Sequence, residues 1–135
     1  MVSKNRNILT KIHLIISVLV VIPASIIYGF YPESILEISP DSVNERNFHK
    51  AIMGLYLGFS LLWLLGVFKI YFIKAALISN IVFMLGLGFG RLISVLLDGT
   101  PSFLYSLGTI GELLLGFYGV WVCNQYFTSK INMLK

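Results

Sequence analysis

Charged residues are scarce in this sequence. Asp, Glu, Lys and Arg together make up 12% of its 135 residues, against roughly 25% in a typical soluble globular domain. Hydrophobic residues instead reach 57%, with a mean hydropathy of +0.86. This composition excludes an ordinary soluble enzyme or binding domain and indicates an integral membrane protein.

The residue patterns of familiar active sites are also absent. Cys123 is the only cysteine, which excludes an intrachain disulfide. The sequence has no Cys and His spacing typical of a metal site, no glycine-rich phosphate loop and no nucleophile elbow. We therefore expect no metal and no cofactor, and the residues favour a role other than that of an enzyme.

Long apolar runs dominate the sequence. Each is close to the roughly 20 residues that a helix needs to cross a bilayer, and none alternates as a barrel strand would. The runs cover residues 8–30, 48–68, 75–97 and 103–127. The sequence thus predicts an all-α fold, a four-helix transmembrane bundle that forms a single domain over residues 1–135.

Most basic residues lie on one side of the predicted membrane, and the acids of the loops lie on the other. The side that holds both termini and the second loop carries Lys4, Arg6, Lys11, Lys69, Lys74, Lys130 and Lys135. The loops on the other side carry Glu33, Glu37, Asp41, Glu45 and Asp98. The positive-inside rule then predicts an inner (cell) membrane protein with cytoplasmic N and C termini. Basic flanks against anionic lipid explain the formal net charge of +4, so no nucleic-acid partner is expected.

The first apolar run also resembles a secretory signal peptide, because basic residues precede it. Cleavage is the competing prediction. The run is long for a signal core, and its small residues Ala24 and Ser25 stand beside Pro23 and are followed by further apolar sequence. We expect the run to remain as the first helix, with a kink at Pro23.

Arg91 interrupts the third apolar run and needs a partner, because an unpaired guanidinium inside a membrane helix is costly. Glu112 is the only charge in the fourth run. At 1.5 Å per residue, Arg91 lies about 9 Å and Glu112 about 13 Å from the outer ends of their runs. An arginine side chain bridges that difference, so the sequence predicts an ion pair in the outer half of the bundle.

Other polar residues are predicted to join this pair at the outer end. Ser94 and Asp98 follow Arg91 on one stripe of the third helix, and Arg46 and His49 come from the start of the second. Two interpretations stay open. The cluster is either a structural clamp between helices or a clamp combined with an outward-facing polar pocket.

Glycines recur at spacings that suit helix contacts. Small residues at such positions let membrane helices approach closely. The predicted packing positions are Gly54, Gly58, Gly86, Gly90 and Gly116. We expect contacts within one chain, with a homo-oligomer seam as the alternative. In the third loop, Gly99 is predicted to end a helix in the left-handed conformation, and Pro101 is predicted to open the next helix.

Several of these segments together resemble a known family. They are residues 44–46 (Asn-Glu-Arg), 51–58, 88–94 with its Gly-Arg-x-x-Ser block, 98–101 (Asp-Gly-Thr-Pro) and 112–116. The sequence resembles a small bacterial membrane family called domain of unknown function family 4345. The resemblance implies four membrane helices and no assigned activity. It also implies a recurring polar set, here Arg46, Arg91, Ser94, Asp98, Gly99, Pro101 and Glu112.

Three classes of function fit these features. We expect an accessory or binding protein whose outward-facing polar pocket takes a lipid headgroup or small polar ligand, with the lipid bilayer as its surroundings. One alternative is a small oligomeric transporter or channel, which the absence of a discontinuous helix pair disfavours. The other is an intramembrane enzyme with Glu112 or Asp98 as acid or base, which the lack of a nucleophile–base pair disfavours.

Overall fold

The computed structural model describes the backbone of residues 2–132 and the side chains of residues 7–127. It contains five α-helices, which are α1 (Val2–Phe30), α2 (Pro32–Leu36), α3 (Val43–Phe68), α4 (Ile73–Asp98) and α5 (Phe103–Asn132). A single 3-10 turn, Ile70–Phe72, joins α3 to α4. The predicted basic flank residues Lys4, Arg6, Lys130 and Lys135 lie outside the described side chains.

The four long helices are each long and apolar enough to cross a membrane. The candidate spans are Asn7–Phe30, Val43–Phe68, Ile70–Asp98 and Phe103–Phe127. The described part of the chain contains no strand. The all-α, four-helix transmembrane fold predicted from the sequence is confirmed, and the chain is a multi-pass membrane protein. The short helix α2, between the first two spans, was not predicted.

The helices follow one another around the bundle in the order α1, α3, α4, α5. Helix α1 packs against α3 and α5, and α4 packs against the same two helices. Helices α1 and α4 also touch across the centre. We call the two ends of the bundle the termini end, where α1 begins and α5 ends, and the α2 end, where α2 and the α4–α5 turn lie.

Aromatic side chains fill the middle of the bundle. The Phe83 ring lies 5.0 Å from the Tyr56 ring and 5.3 Å from the Trp63 ring, measured between centroids. Trp63 is fully buried, and its Nε1 donates a hydrogen bond to Ser79 Oγ at 3.2 Å. Packing and hydrogen bonds between helices hold a bundle together in lipid, where apolar burial gives little driving force. Helices α3 and α4 are joined in this way.

A buried polar cluster joins α1 to α4 nearer the termini end. His13, Ser17 and Asn80 have no exposed surface. His13 Nε2 lies 2.8 Å from Asn80 Oδ1, and Ser17 Oγ donates to the His13 carbonyl at 3.1 Å. With the Asn80 oxygen as acceptor, the imidazole carries its proton on Nε2. The ring also meets Tyr118 of α5 edge to face at 5.4 Å, so this cluster connects three helices.

Four of the five glycines predicted as packing positions make no close contact within the chain. A Cβ added at any of these four would meet no atom within 4 Å; they are Gly54, Gly58, Gly86 and Gly90. The spacing of small residues identifies one face of a helix but does not indicate whether that face contacts another helix or is exposed. The large side chains on the other faces, such as Trp63, form the core instead. A homo-oligomer seam at these exposed glycines stays a prediction.

Close helix contacts occur at other glycines and at the fifth predicted one. A Cβ at Gly116 would lie 2.5 Å from the Leu85 side chain, so α5 approaches α4 closely there. A Cβ at Gly66 would collide with the Ala76 methyl group. These contacts set how closely the helices pack on both sides of α4.

The α4–α5 turn differs in detail from its prediction. Gly99 has a positive φ of 104°, but its ψ of −178° lies outside the left-handed helical region. This combination is essentially restricted to glycine. Helix α5 begins at Phe103, so Pro101 precedes it in the turn, and the Ser102 carbonyl accepts the first bond, from Ser106 N at 3.1 Å.

We predict that Gly66→Ala lowers stability while Gly58→Ala does not. The added methyl at Gly66 meets the methyl of Ala76, which has no rotamer to move away, and overpacking of this kind costs about 1–3 kcal/mol. At Gly58 the methyl meets open space. The midpoint of thermal unfolding in mild detergent measures both changes. Equal midpoints for the two variants would contradict the close α3–α4 contact.

Candidate functional site: an Arg–Glu pair in an apolar cavity

The ion pair predicted from the sequence is present between α4 and α5. Arg91 Nε lies 3.0 Å from Glu112 Oε2, and the two side chains are only 19% and 14% exposed. Each charge needs the other, because a lone buried charge is far more costly than a pair. The pair therefore fixes the relative depth of α4 and α5 in the bundle.

Tyrosine side chains surround the Arg91 guanidinium. Arg91 Nη2 donates a hydrogen bond to the Tyr28 hydroxyl at 2.7 Å. The guanidinium carbon lies 5.0 Å from the ring centroid of Tyr105 and 6.0 Å from that of Tyr28. The Tyr56 ring packs edge to face against Tyr28 at 5.6 Å. Cation–π attraction and hydrogen bonding from α1 and α5 thus hold the cation in place.

The sequence reasoning did not assign these tyrosines to the site. Tyr28 and Tyr56 stand three and four residues from Ser25 and Ser60, so the sequence places each on a polar stripe of its helix, but a role beside Arg91 was not inferred. Tyr105 was missed entirely. The signal that could have found them is an aromatic residue on an interior stripe at the depth of an unexplained guanidinium.

The Glu112 carboxylate keeps hydrogen-bonding capacity. Its Oε2 is buried and has no hydrogen bond, because the short contact with Arg91 is not aligned as one. The two groups therefore interact by charge, and the oxygen can still accept a proton from a hydroxyl, an amide or water. Glu112 lines the cavity, so the lone pairs that its carboxylate does not direct at Arg91 can accept from a ligand.

A cavity of about 330 Å³ opens beside the pair, between α1 and α5. Helix α4 forms its back, and Ile35 and Leu36 of α2 close one end. Most of its lining is apolar, including Val20, Val21, Ala24, Ile27, Met84, Leu87, Leu104, Leu107 and Leu115. Its polar lining consists of Tyr28, Tyr56, Tyr105, Arg91 and Glu112. Apolar walls with a few convergent polar groups are typical of a small-molecule site.

Arg46 and His49 line a different hollow. This second cavity, of about 280 Å³, lies between α3 and the segment that joins α1 to α2. The structure does not bring Arg46 or His49 to the Arg91–Glu112 pair, because α3 packs against α1 on the side away from α5. Their position at the start of α3 follows from the sequence, but the side of α1 on which they lie does not.

Ser94 and Asp98 line neither cavity. Ser94 Oγ donates to Asp98 Oδ2 at 2.8 Å, and both residues are exposed. The last turns of α4 are exposed on several sides, with Leu96 84% and Leu97 78% exposed. The single cluster expected from the sequence is therefore divided into three separate groups, of which the Arg91–Glu112 pair is the buried one.

Four apolar helices around a cavity with a buried ion pair define a multi-pass membrane protein of the four-helix class. The chain belongs to the family of the domain of unknown function DUF4345, whose model matches residues 9–123. That match includes Arg91 and Glu112. The comparisons with curated proteins and with solved structures found no match.

We predict that Arg91→Met alone destabilises the bundle more than the double change Arg91→Met with Glu112→Met. The single change leaves the Glu112 carboxylate buried without its counter-charge, at a cost of about 3–5 kcal/mol, whereas the double change removes both charges. Thermal unfolding of the single and double variants in mild detergent, analysed as a double-mutant cycle, gives the coupling. Additive effects of the two changes would show that the pair contributes no coupling.

Proposed function

We propose that this protein is a binding or accessory protein of the cell membrane that holds an amphipathic, lipid-like molecule in the α1–α5 cavity. The observation that carries the proposal is the combination of apolar walls with one buried ion pair. The apolar part of the ligand lies along α1 and α5. Its polar group meets Glu112 and the tyrosine hydroxyls.

The ion pair selects the charge of that polar group. Arg91 repels a cation and Glu112 repels an anion, and together they carry no net charge. A polar group without net charge, such as a hydroxyl or an amide, can donate to the Glu112 carboxylate and avoids both repulsions. The proposed ligand is accordingly a neutral amphiphile.

The cavity faces the lipid rather than water. Val20, Leu104 and Leu107 line it and are also exposed on the bundle surface, where they contact the bilayer interior. A molecule dissolved in the bilayer therefore reaches the cavity between α1 and α5 without passing through water. The cavity volume of about 330 Å³ suits part of a lipid rather than a whole one.

The charge distribution supports an inner-membrane orientation with both termini in the cytoplasm. Lys69 and Lys74 flank the α3–α4 turn at the termini end, whereas Glu33, Asp41 and Glu45 lie at the α2 end. Basic residues remain on the cytoplasmic side during insertion. In this orientation α2 and both cavities lie toward the outer face.

We predict that Gly111→Phe abolishes ligand retention while Gly54→Phe preserves it. Gly111 lines the cavity, and a Cβ there meets no atom within 4 Å, so the new side chain begins in open space and its phenyl group takes up part of the cavity. Gly54 offers the same open space on the outer face of α3, away from the cavity. Native mass spectrometry of protein purified in gentle detergent measures the bound amphiphile in each.

We expect the wild type and Gly54→Phe to carry a retained amphiphile, and the occupancy of Gly111→Phe to fall about 10-fold or more, equivalent to at least 1.4 kcal/mol. A wild type without any ligand would contradict the binding function. Equal occupancy in all three proteins would place the ligand outside the cavity.

The orientation has its own test. We predict that, in a Cys123→Ser background, Asp41→Cys reacts with a membrane-impermeant maleimide on intact cells, because its loop faces outward. Tyr71→Cys, in the highly exposed α3–α4 turn, reacts only after the membrane is opened. Labelling in the reverse order would show the opposite orientation. Comparable expression of the two variants is the control.

A further inference from the structure

A second polar hollow lies at the α2 end, on the side of α1 away from the α1–α5 cavity. We call it the α3 basin; its lining is Gly29, Phe30, Tyr31, Pro32, Glu33, Ser34, Pro40, Arg46, His49 and Lys50. Its volume is about 280 Å³. The lining contains two fixed cations, Arg46 and Lys50, against one carboxylate, Glu33. The basin thus has a positive charge excess.

Neither cation of the basin is neutralised by a carboxylate. Among the side chains that the structure describes, the one ion pair is that of Arg91 with Glu112. Glu45, the acid next to Arg46 in the sequence, is engaged at the start of α3, where its Oε2 accepts from Asp41 N at 2.7 Å and from Ser42 N at 3.3 Å. Glu45 attracts Arg46 by charge without forming an ion pair, so the Lys50 charge and the remaining guanidinium donors of Arg46 stay available to an anion.

Protein contacts orient the two cations. Arg46 Nη1 donates to the Pro40 carbonyl at 3.1 Å, which uses one of the five guanidinium donors. Lys50 Nζ lies 5.8 Å from the ring centroid of Phe30. Because Arg46 and Lys50 are four residues apart, they lie on one face of α3, one turn from each other. The basin is held open between the α1–α2 segment and this face.

His49 adds a hydrogen-bonding group without a protein partner. Its Nδ1 is buried and makes no hydrogen bond. Such a group is unfavourable until a ligand or water satisfies it. With its proton on Nδ1, the imidazole donates to an oxygen of a bound anion. His49 lies between the two cations on α3, so one anion can contact all three residues.

The depth of the basin matches that of lipid phosphates. Lys50 directly precedes Ala51, where the uncharged part of the second span begins. The basin therefore lies at the edge of the apolar layer, where headgroups of the bilayer are found. In the proposed orientation, Arg46 and Lys50 are on the outer side of the membrane, where the positive-inside rule disfavours basic residues. Binding of an anion would account for two cations at this position.

We propose that the α3 basin binds a phosphate-type oxyanion, supplied by a phospholipid headgroup or by free phosphate. Arg46 and Lys50 provide the charge, and His49 provides a directed hydrogen bond. Glu33 opposes binding by its negative charge. This site differs from the α1–α5 cavity in its residues and in the charge of its ligand, and it does not depend on the function proposed for that cavity.

The test measures lipid binding to the full chain in gentle detergent by native mass spectrometry. The probes are phosphatidylglycerol, phosphatidylcholine with the same acyl chains, and inorganic phosphate as a competitor. The variants are Arg46→Gln with Lys50→Gln, the matched pair Lys69→Gln with Lys74→Gln at the termini end, and Glu33→Gln. Gly111→Phe fills part of the α1–α5 cavity and leaves the α3 basin unchanged, so it distinguishes lipid bound in the basin from lipid bound in the cavity.

We expect phosphatidylglycerol to bind more tightly than phosphatidylcholine. Its affinity should fall about 10-fold or more in the Arg46 and Lys50 variant, since charge-assisted hydrogen bonds are lost. It should stay unchanged in the Lys69 and Lys74 variant and in Gly111→Phe, and rise severalfold in Glu33→Gln. Competition by inorganic phosphate would assign the free ion as a source, and its absence would assign the headgroup.

An equal loss of phosphatidylglycerol affinity in the Arg46 and Lys50 variant and in the Lys69 and Lys74 variant would overturn the proposal. General attraction of anionic lipid to basic residues would then explain the binding. Equal affinities for the two lipids would overturn it as well. If Arg46→Gln with Lys50→Gln fails to fold, the exposed Glu33→Gln decides, and an unchanged affinity in that variant contradicts the site. Loss of phosphatidylglycerol in Gly111→Phe would mean that the lipid occupies the cavity instead.

Discussion

The need to neutralise Arg91 inside an apolar bundle organises the half of the molecule nearest α2. A buried guanidinium requires a counter-charge and hydrogen-bond acceptors from its neighbours. Helix α5 supplies Glu112 and the Tyr105 ring, and α1 supplies the Tyr28 hydroxyl. Two neighbouring helices are thereby attached to one residue of α4. The same residues line the α1–α5 cavity, so the structural role of the pair and the binding role that we propose for it fall on the same side chains.

The two halves of the bundle differ because their side chains fill space differently. Toward the termini end, the aromatic rings around Phe83 and the His13–Asn80 contact leave α1, α3 and α4 closely packed. Toward the α2 end, Gly108 and Gly111 place no side chain between α1 and α5. The close-packed half adjoins a more open one, and the residues that line the cavity lie on helices that the packed half holds in place.

The sequence predicted the parts of the structure that depend on periodicity and hydropathy. The four spans and the Arg91–Glu112 pair follow from these signals and are present. Ser94 and Asp98 share the stripe of Arg91 but are exposed, because periodicity identifies the face of a helix and not how much of that face a neighbouring helix covers. Gly54 and Gly86 show the same limit, since spacing identifies a helix face but not the partner it meets. The position of Arg46 on the far side of α1 depends on helix order around the bundle, which no local pattern encodes.

The short turn between α4 and α5 gives the ion pair a consequence for membrane insertion. Arg91 and Glu112 belong to consecutive helices that only residues 99–102 separate. The hairpin of α4 and α5 therefore carries its own counter-ion into the apolar layer and enters it with no net charge from these two residues. Glu112 thus lowers the cost of placing Arg91 in lipid within the α4–α5 hairpin itself. The Tyr28 hydroxyl of α1 adds a further hydrogen bond to Arg91 in the complete bundle.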